Sequence, residues 1–304
     1  MKPNRRELLK AAVGLSVLSL SGFDGLARSA GPAESLGVTS VSDGNLSFPL
    51  GFYLPNTPPD ESAALLTANG LSDEAITPDC NVTLFRDGER TILFDTGAGD
   101  RFMASAGKLP GGLEALGIDP ADVTDVVFTH AHPDHLWGVL DEFDDPFYPN
   151  ATHHISQPEW DFWYDDGTVD AMPDAQKAFA VGAKRNLTAI EDKVVRFKSE
   201  TEILPNVFAM DTSGHTPGHT SFEIRKDGER FLVIGDAIGH PVVSFQRPGW
   251  VVGTDQDPQK AIKARKALLD RMASEKIACL GYHLTAPGMG FAERHEGAYR
   301  FVPV

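Results

Sequence analysis

The chain has 304 residues, 41% hydrophobic and 23% charged, which suits one large globular domain or two small ones. A mean hydropathy of −0.19 excludes a polytopic membrane protein. Lysine and arginine total 27 against 43 aspartate and glutamate, and the resulting charge of −16 opposes a phosphate backbone, so no nucleic-acid partner is expected.

Residues 1–30 read as an address rather than as fold. In Asn4-Arg5-Arg6-Glu7-Leu8-Leu9-Lys10 two adjacent arginines precede an apolar pair and a lysine, and an uncharged stretch then runs from Ala11 to Phe23. That stretch is too short to span a bilayer, which takes ~20 residues, and Ala27-Arg28-Ser29 offers small residues to a signal peptidase. The segment resembles a twin-arginine export signal. The resemblance implies a removable signal peptide over 1–30 and a periplasmic or secreted protein without a stable membrane anchor, exported after folding and metal loading. No linker, charge block or repeat follows, so residues 31–304 are expected to form one domain.

Strands are expected at Val38–Val41 and Leu46–Leu50 around Asp43-Gly44, and at Asn81–Arg86 and Thr91–Asp95 around Asp87-Gly88. Asp-Gly between apolar runs signals a hairpin, because both turn positions favour positive φ. A short helix at Leu113–Gly117 leads to a buried strand at Asp125–Thr129, followed by a strand at Thr152–Ser156 and a helix at Ala175–Ile190. Val207–Thr212, Ser221–Arg225 and Phe231–Asp236 read as strands. Asp257 as N-cap and Pro258 in the first turn open a helix to about Ser274, with Ala261, Ala264, Leu268 and Met272 on its core face. Ile277–Tyr282 is the last clear strand, and the mixture places the chain in the α/β or α+β class.

The chemistry concentrates where the strand Asp125–Thr129 runs into His130-Ala131-His132-Pro133-Asp134-His135. Four metal-competent side chains within six residues are hard to explain as packing, and Pro133 stops the strand so that the loop stays open. Neutral imidazoles and a carboxylate are ligands that a borderline cation such as zinc accepts.

This run, His130-X-His132-X-Asp134-His135, resembles the central motif of the metallo-β-lactamase-fold hydrolases. Phe94-Asp95-Thr96-Gly97 resembles that family's first motif, Gly214-His215-Thr216-Pro217-Gly218-His219 its third, Ile234-Gly235-Asp236 its fourth and Gly281-Tyr282-His283 its fifth. The resemblance spans residues 95 to 283 and implies a four-layer αβ/βα sandwich with the site at one edge. It also implies two divalent metal ions, with zinc preferred and manganese, iron or cobalt as alternatives. One ion would take His130, His132 and His215, and the other Asp134, His135 and His283. Asp236 would bridge them together with the attacking hydroxide. Asp134 and Asp236 are the catalytic residues on this reading, Asp134 passing a proton to the leaving group. Asp95 and His219 would position ligands, His219 by orienting His215.

Within the family, β-lactamases lack the bridging aspartate and carry Cys or Ser near that function, and no cysteine adjoins Asp236 in the sequence. Ribonuclease Z-like members keep the aspartate, but the acidic charge opposes RNA. Flavodiiron oxidoreductases carry Glu where this chain has His132. Arg247-Pro248-Gly249-Trp250, the helix from Asp257-Pro258 and the stretch Tyr282 to Gly290 resemble methyl parathion hydrolases and quorum-quenching lactonases, which implies an exported homodimer. The expected activity is hydrolysis of lactones or carboxylic esters, with organophosphate triesters as the alternative. A β-lactamase or a non-catalytic metal-binding protein fits less well, because all seven ligand positions are filled.

Trp160, Phe162, Trp163 and Tyr164 are either core or a hydrophobic wall beside the metals, and Phe52, Tyr53 and Leu54 offer an opposite wall. His240 either touches substrate or lies on the surface. His153 and His154 should face opposite sides of their strand, with His295 on the surface. Cys80 and Cys279 fall in different halves of the fold and are expected not to pair.

Overall fold

The computed structural model describes residues 32–304, so the signal segment expected at 1–30 lies outside the described residues. Among these residues two large sheets face each other. The first runs in chain order β1 (Val38–Asn45), β2 (Asp79–Asp87), β3 (Arg90–Phe94), β4 (Asp125–Val127), β5 (Thr152–Ser156) and β6 (Val194–Phe197). Its first three strands are antiparallel and the rest parallel. The second also follows chain order, with β7 (Glu202–Leu204), β8 (Val207–Asp211), β9 (Thr220–Lys226), β10 (Glu229–Val233), β11 (Ala278–Leu280), β12 (Met289–His295) and β13 (Ala298–Pro303). Only its β10–β11 pair is parallel, bridged by the long helix Pro258–Glu275.

Alternation along the strands builds the layers. Ile92 and Phe94 of β3 and Val127 of β4 point between the sheets, where they meet Phe222, Phe231 and Val233. Their neighbours Leu93 and Val126 point outward beneath the helices Leu109–Ala115, Gln157–Tyr164 and Lys177–Ile190. On the second sheet Leu232 and Ile234 point outward against Leu268, Leu269 and Met272 of the long helix. The result is an αβ/βα sandwich, because each sheet is apolar on both faces.

Asp43-Gly44 does not turn the chain. β1 passes through it with a bulge between Ser42 and Gly44. The buried Asp43 carboxylate instead accepts bonds from the backbone N–H groups of Ala98 and Leu109, each at 2.8 Å, and of Gly107 at 3.1 Å, holding the loop that follows β3. A hairpin tip would have exposed it. Leu46–Leu50 accordingly forms no long strand; only Phe48–Pro49 pairs, with Ala75–Ile76. At Asp87-Gly88 a hairpin forms, but Asp87 pairs with Arg90 and the turn residues are Gly88 and Glu89. Only Gly88 takes positive φ, as a type II′ turn requires.

The helix expected at Leu113–Gly117 begins earlier, at Leu109, with Pro110 in its first turn. Asp236 lies past the end of β10, on the short turn Gly235–Ala237 rather than on a strand. His153 and His154 are both buried, because β5 lies inside the sheet with both faces covered. Cys80 and Cys279 are free and pack in different outer layers.

Candidate metal centre

The candidate residues converge on one edge of the sandwich, delivered by the loops that leave β3, β4, β8, β10 and β11. Three donor nitrogens meet first. His132 Nδ1 lies 3.0 Å from His130 Nε2 and 2.9 Å from His215 Nε2. Beside them, Asp134 Oδ2 lies 3.2 Å from both His135 Nε2 and His283 Nε2. Asp236 stands between the two sets: its Oδ1 is 3.2 Å from His135 Nε2, and its Oδ2 is 3.2 Å from His283 Nε2 and 3.3 Å from His215 Nε2.

The surrounding hydrogen bonds decide which nitrogens face inward. His283 Nδ1 donates to the backbone carbonyl of Asp79 at 2.9 Å, and His215 Nδ1 donates to Asp255 Oδ1 at 3.0 Å. His135 Nδ1 donates to Asp95 Oδ2 at 2.8 Å, and the same carboxylate takes the Thr129 hydroxyl, which sits 3.0 Å from His130 Nδ1. Carbonyls and carboxylates only accept, so each of these imidazoles presents its Nε2 to the centre. Asp95 reaches its position through a left-handed backbone (φ 68°), a conformation aspartate tolerates better than most residues.

Burial drives His130 and His132 well below the ordinary histidine range, and neighbouring imidazoles add to this, so both are neutral. For His135 and His283 burial acts in the same direction but is overcome. Asp134, Asp236 and Asp95 hold His135 well above its usual range, and Asp236 and Asp134 do the same for His283. Burial also opposes ionisation of Asp134 and Asp236, yet His135 and His283 hold both carboxyls well below theirs.

The cluster fits divalent metal. Asp134 Oδ2, His135 Nε2 and Asp236 Oδ1 are buried and take no hydrogen bond, a cost that polar groups bear inside a protein only with another partner. Imidazole nitrogen and carboxylate oxygen form a donor set for zinc and its neighbours.

His219 does not orient His215. Its Nδ1 bonds to Thr212 Oγ1 at 2.8 Å, and its Nε2 accepts the backbone N–H of Asp236 at 3.0 Å, so it fixes the turn carrying that aspartate. The role at His215 belongs to Asp255, itself bound by Arg265 Nη2 at 2.8 Å. Sequence reasoning missed this pair because it lies beyond the recognised motifs. It missed Glu159 as well. This fully buried carboxylate accepts from Ala131 N (2.9 Å), Trp163 Nε1 (2.6 Å), Thr216 Oγ1 (2.7 Å) and Gly218 N (2.8 Å), tying the second and third motif loops together. Gly218 permits that approach, since a Cβ there would come within 2.2 Å of the Glu159 backbone nitrogen.

A cavity opens onto His132, Asp134, His215, Asp236 and His283. Phe52 lines it, stacked on Phe48 at 5.6 Å, and Phe102 and Phe179 meet edge to face at 5.9 Å on the same cavity. Trp160 and Trp163 do not line it. Trp160 stacks on Tyr164 in the core, and Trp163 packs edge-on to His132 at 5.7 Å while its indole binds Glu159. His240 lines a separate cavity that His283 also borders.

A buried set of histidines and carboxylates at one edge of an αβ/βα sandwich defines a metalloprotein with a site for divalent cations. The chain belongs to the metallo-beta-lactamase superfamily, whose model matches residues 77–277. Among curated proteins it is 31% identical over 170 residues to the N-acyl homoserine lactonase AttM of Azorhizobium caulinodans, covering 54% of this chain and 60% of that one. Against AttM of Agrobacterium fabrum it is 32% identical over 165 residues, covering 50% and 56%. The match thus spans three fifths or less of these relatives' length. Among solved structures it resembles AidC, a dizinc quorum-quenching lactonase in complex with an N-hexanoyl-L-homoserine product, with a TM-score of 0.83 at 28% identity over 88% of this chain and 94% of that one. The hydrolase AbOPH gives a TM-score of 0.82 at 27% identity with the same coverage.

Proposed function

We propose that the chain is a dinuclear metal-dependent hydrolase of lactones or carboxylic esters, with His130, His132 and His215 holding one cation and Asp134, His135 and His283 the other. The observation that carries this reading is Asp236, placed within 3.3 Å of ligand nitrogens from both sets at the floor of an apolar-walled cavity. A pair of cations bound there supplies an activated water and polarises the substrate carbonyl. Asp134 uses Oδ2 within the cluster, which leaves Oδ1 to carry a proton to the leaving oxygen. Asp255 and Arg265 hold the tautomer of His215, and Asp95 holds that of His135. Phe48, Phe52, Phe102 and Phe179 receive the acyl chain and exclude water from it.

The likeness to the dizinc lactonase AidC and to the AttM lactonases supports a lactone substrate, and zinc is the proposed metal. The paired aromatic rings favour one second reading, a phosphotriester with an aryl leaving group. Comparison of kcat/KM for an N-acyl homoserine lactone, an aryl ester and a dialkyl aryl phosphotriester separates them. A lactone preference of about 100-fold is expected, equivalent to about 2.7 kcal/mol of transition-state binding. A phosphotriester preferred by that margin would reverse the assignment. Export through residues 1–30 and a homodimer complete the proposal, on sequence resemblance; recovery of the chain in the cytoplasmic fraction would remove the first.

A further inference from the structure

Cys80 was set aside in the sequence as one of two unpaired cysteines, yet the fold brings it to the metal centre. Its sulfur, a carboxylate oxygen of Asp134 and a ring nitrogen of His283 all lie within 4.8 Å of one another. The arrangement is enforced from both sides of Cys80 on β2. The Asp79 backbone carbonyl accepts from His283 Nδ1 at 2.9 Å, and the Asp79 carboxylate accepts from Ala286 N at 2.8 Å. Asn81 Nδ2 donates to the carbonyls of Tyr282 at 3.0 Å and Leu284 at 2.7 Å. Within this clamp Asp134 Oδ2 is buried without a hydrogen-bond donor. A buried cysteine is ordinarily a small apolar filler. Cys279 is such a case, packed in the opposite layer among Leu232, Leu269 and Phe245. Cys80 differs, because a carboxylate and an imidazole converge on its sulfur.

We propose that Cys80 is a sulfur ligand of the second cation position, joining Asp134 and His283, so that this position selects a thiophilic divalent ion. The proposal rests on the reading that the cluster holds two cations. On coordination the thiol gives its proton to solvent and the sulfur binds as thiolate. Zinc, cobalt and cadmium accept sulfur beside nitrogen and oxygen, whereas manganese and magnesium favour oxygen.

The test is the absorption spectrum of the isolated protein after metal removal and reloading with two equivalents of Co²⁺. The expected result is a near-ultraviolet sulfur-to-cobalt charge-transfer band beside the visible d–d bands. Cys80→Ser and Cys80→Ala should abolish the near-ultraviolet band and keep the d–d bands, while Cys279→Ser should keep both. A wild-type spectrum with d–d bands alone, or a charge-transfer band that survives both Cys80 variants, overturns the assignment and leaves the two-cation reading standing. Absence of both bands, with no cobalt retained, overturns the two together.

Discussion

Replacing Asp236 by asparagine should lower kcat/KM by about 1,000-fold or more, roughly 4 kcal/mol of transition-state stabilisation, and remove at least one equivalent of bound cation. The expectation follows from position. Among the described residues, Asp236 alone approaches His215 of the three-histidine set and both His135 and His283 of the other. Asparagine keeps the shape but exchanges one anionic oxygen for an amide that cannot bind a cation. Steady-state kinetics with metal analysis checks this, with Asp236→Ala as the second variant. Either variant retaining full activity and a full complement of cations would contradict a bridging role.

The second large effect is on stability. Glu159→Ala should cost about 4 kcal/mol, because it strands four buried donors at once. Burial pushes the Glu159 carboxyl upward, and Thr216, Ala131, Trp163 and Gly218 pull it back. Glu159→Gln should also destabilise. Each carboxylate oxygen accepts two donors, so the amide nitrogen meets two donors whichever way it is turned. Since Ala131 lies between His130 and His132, and Thr216 follows His215, cation affinity should fall about 10- to 100-fold as well. Thermal unfolding and metal titration of the two variants measure both effects. A Glu159→Ala protein that melts like the wild type would refute the assignment.

The convergence of these histidines and aspartates was legible in the sequence because its pattern is local: four metal-competent side chains follow one strand, and the others sit in short Gly-rich motifs of recognisable form. The residues that hold those side chains were not. Glu159 and Asp255 carry no motif, and their roles depend on a helix and a loop folding back onto the site. Asp43-Gly44 misled for a related reason. Local chemistry favours a hairpin, but three backbone N–H groups from the loop between Gly97 and Pro110 claim the carboxylate, and tertiary demand overrode local preference. The C-terminal hairpin β12–β13 escaped notice because its strands are half exposed and weakly alternating, although its Glu296-Gly297 turn takes positive φ at both positions. The pocket wall was half read. Phe52 was found near the chain start, whereas Phe102 and Phe179 come from a loop and a helix that only the fold brings together.

The most direct test of the two-cation account is hydrolysis of an N-acyl homoserine lactone by chelator-stripped protein titrated with zinc, with bound metal counted at each step. The account predicts negligible turnover without metal and a rate that reaches its plateau only at two equivalents per chain. A full rate at one equivalent, or turnover that persists in the stripped protein, would contradict it.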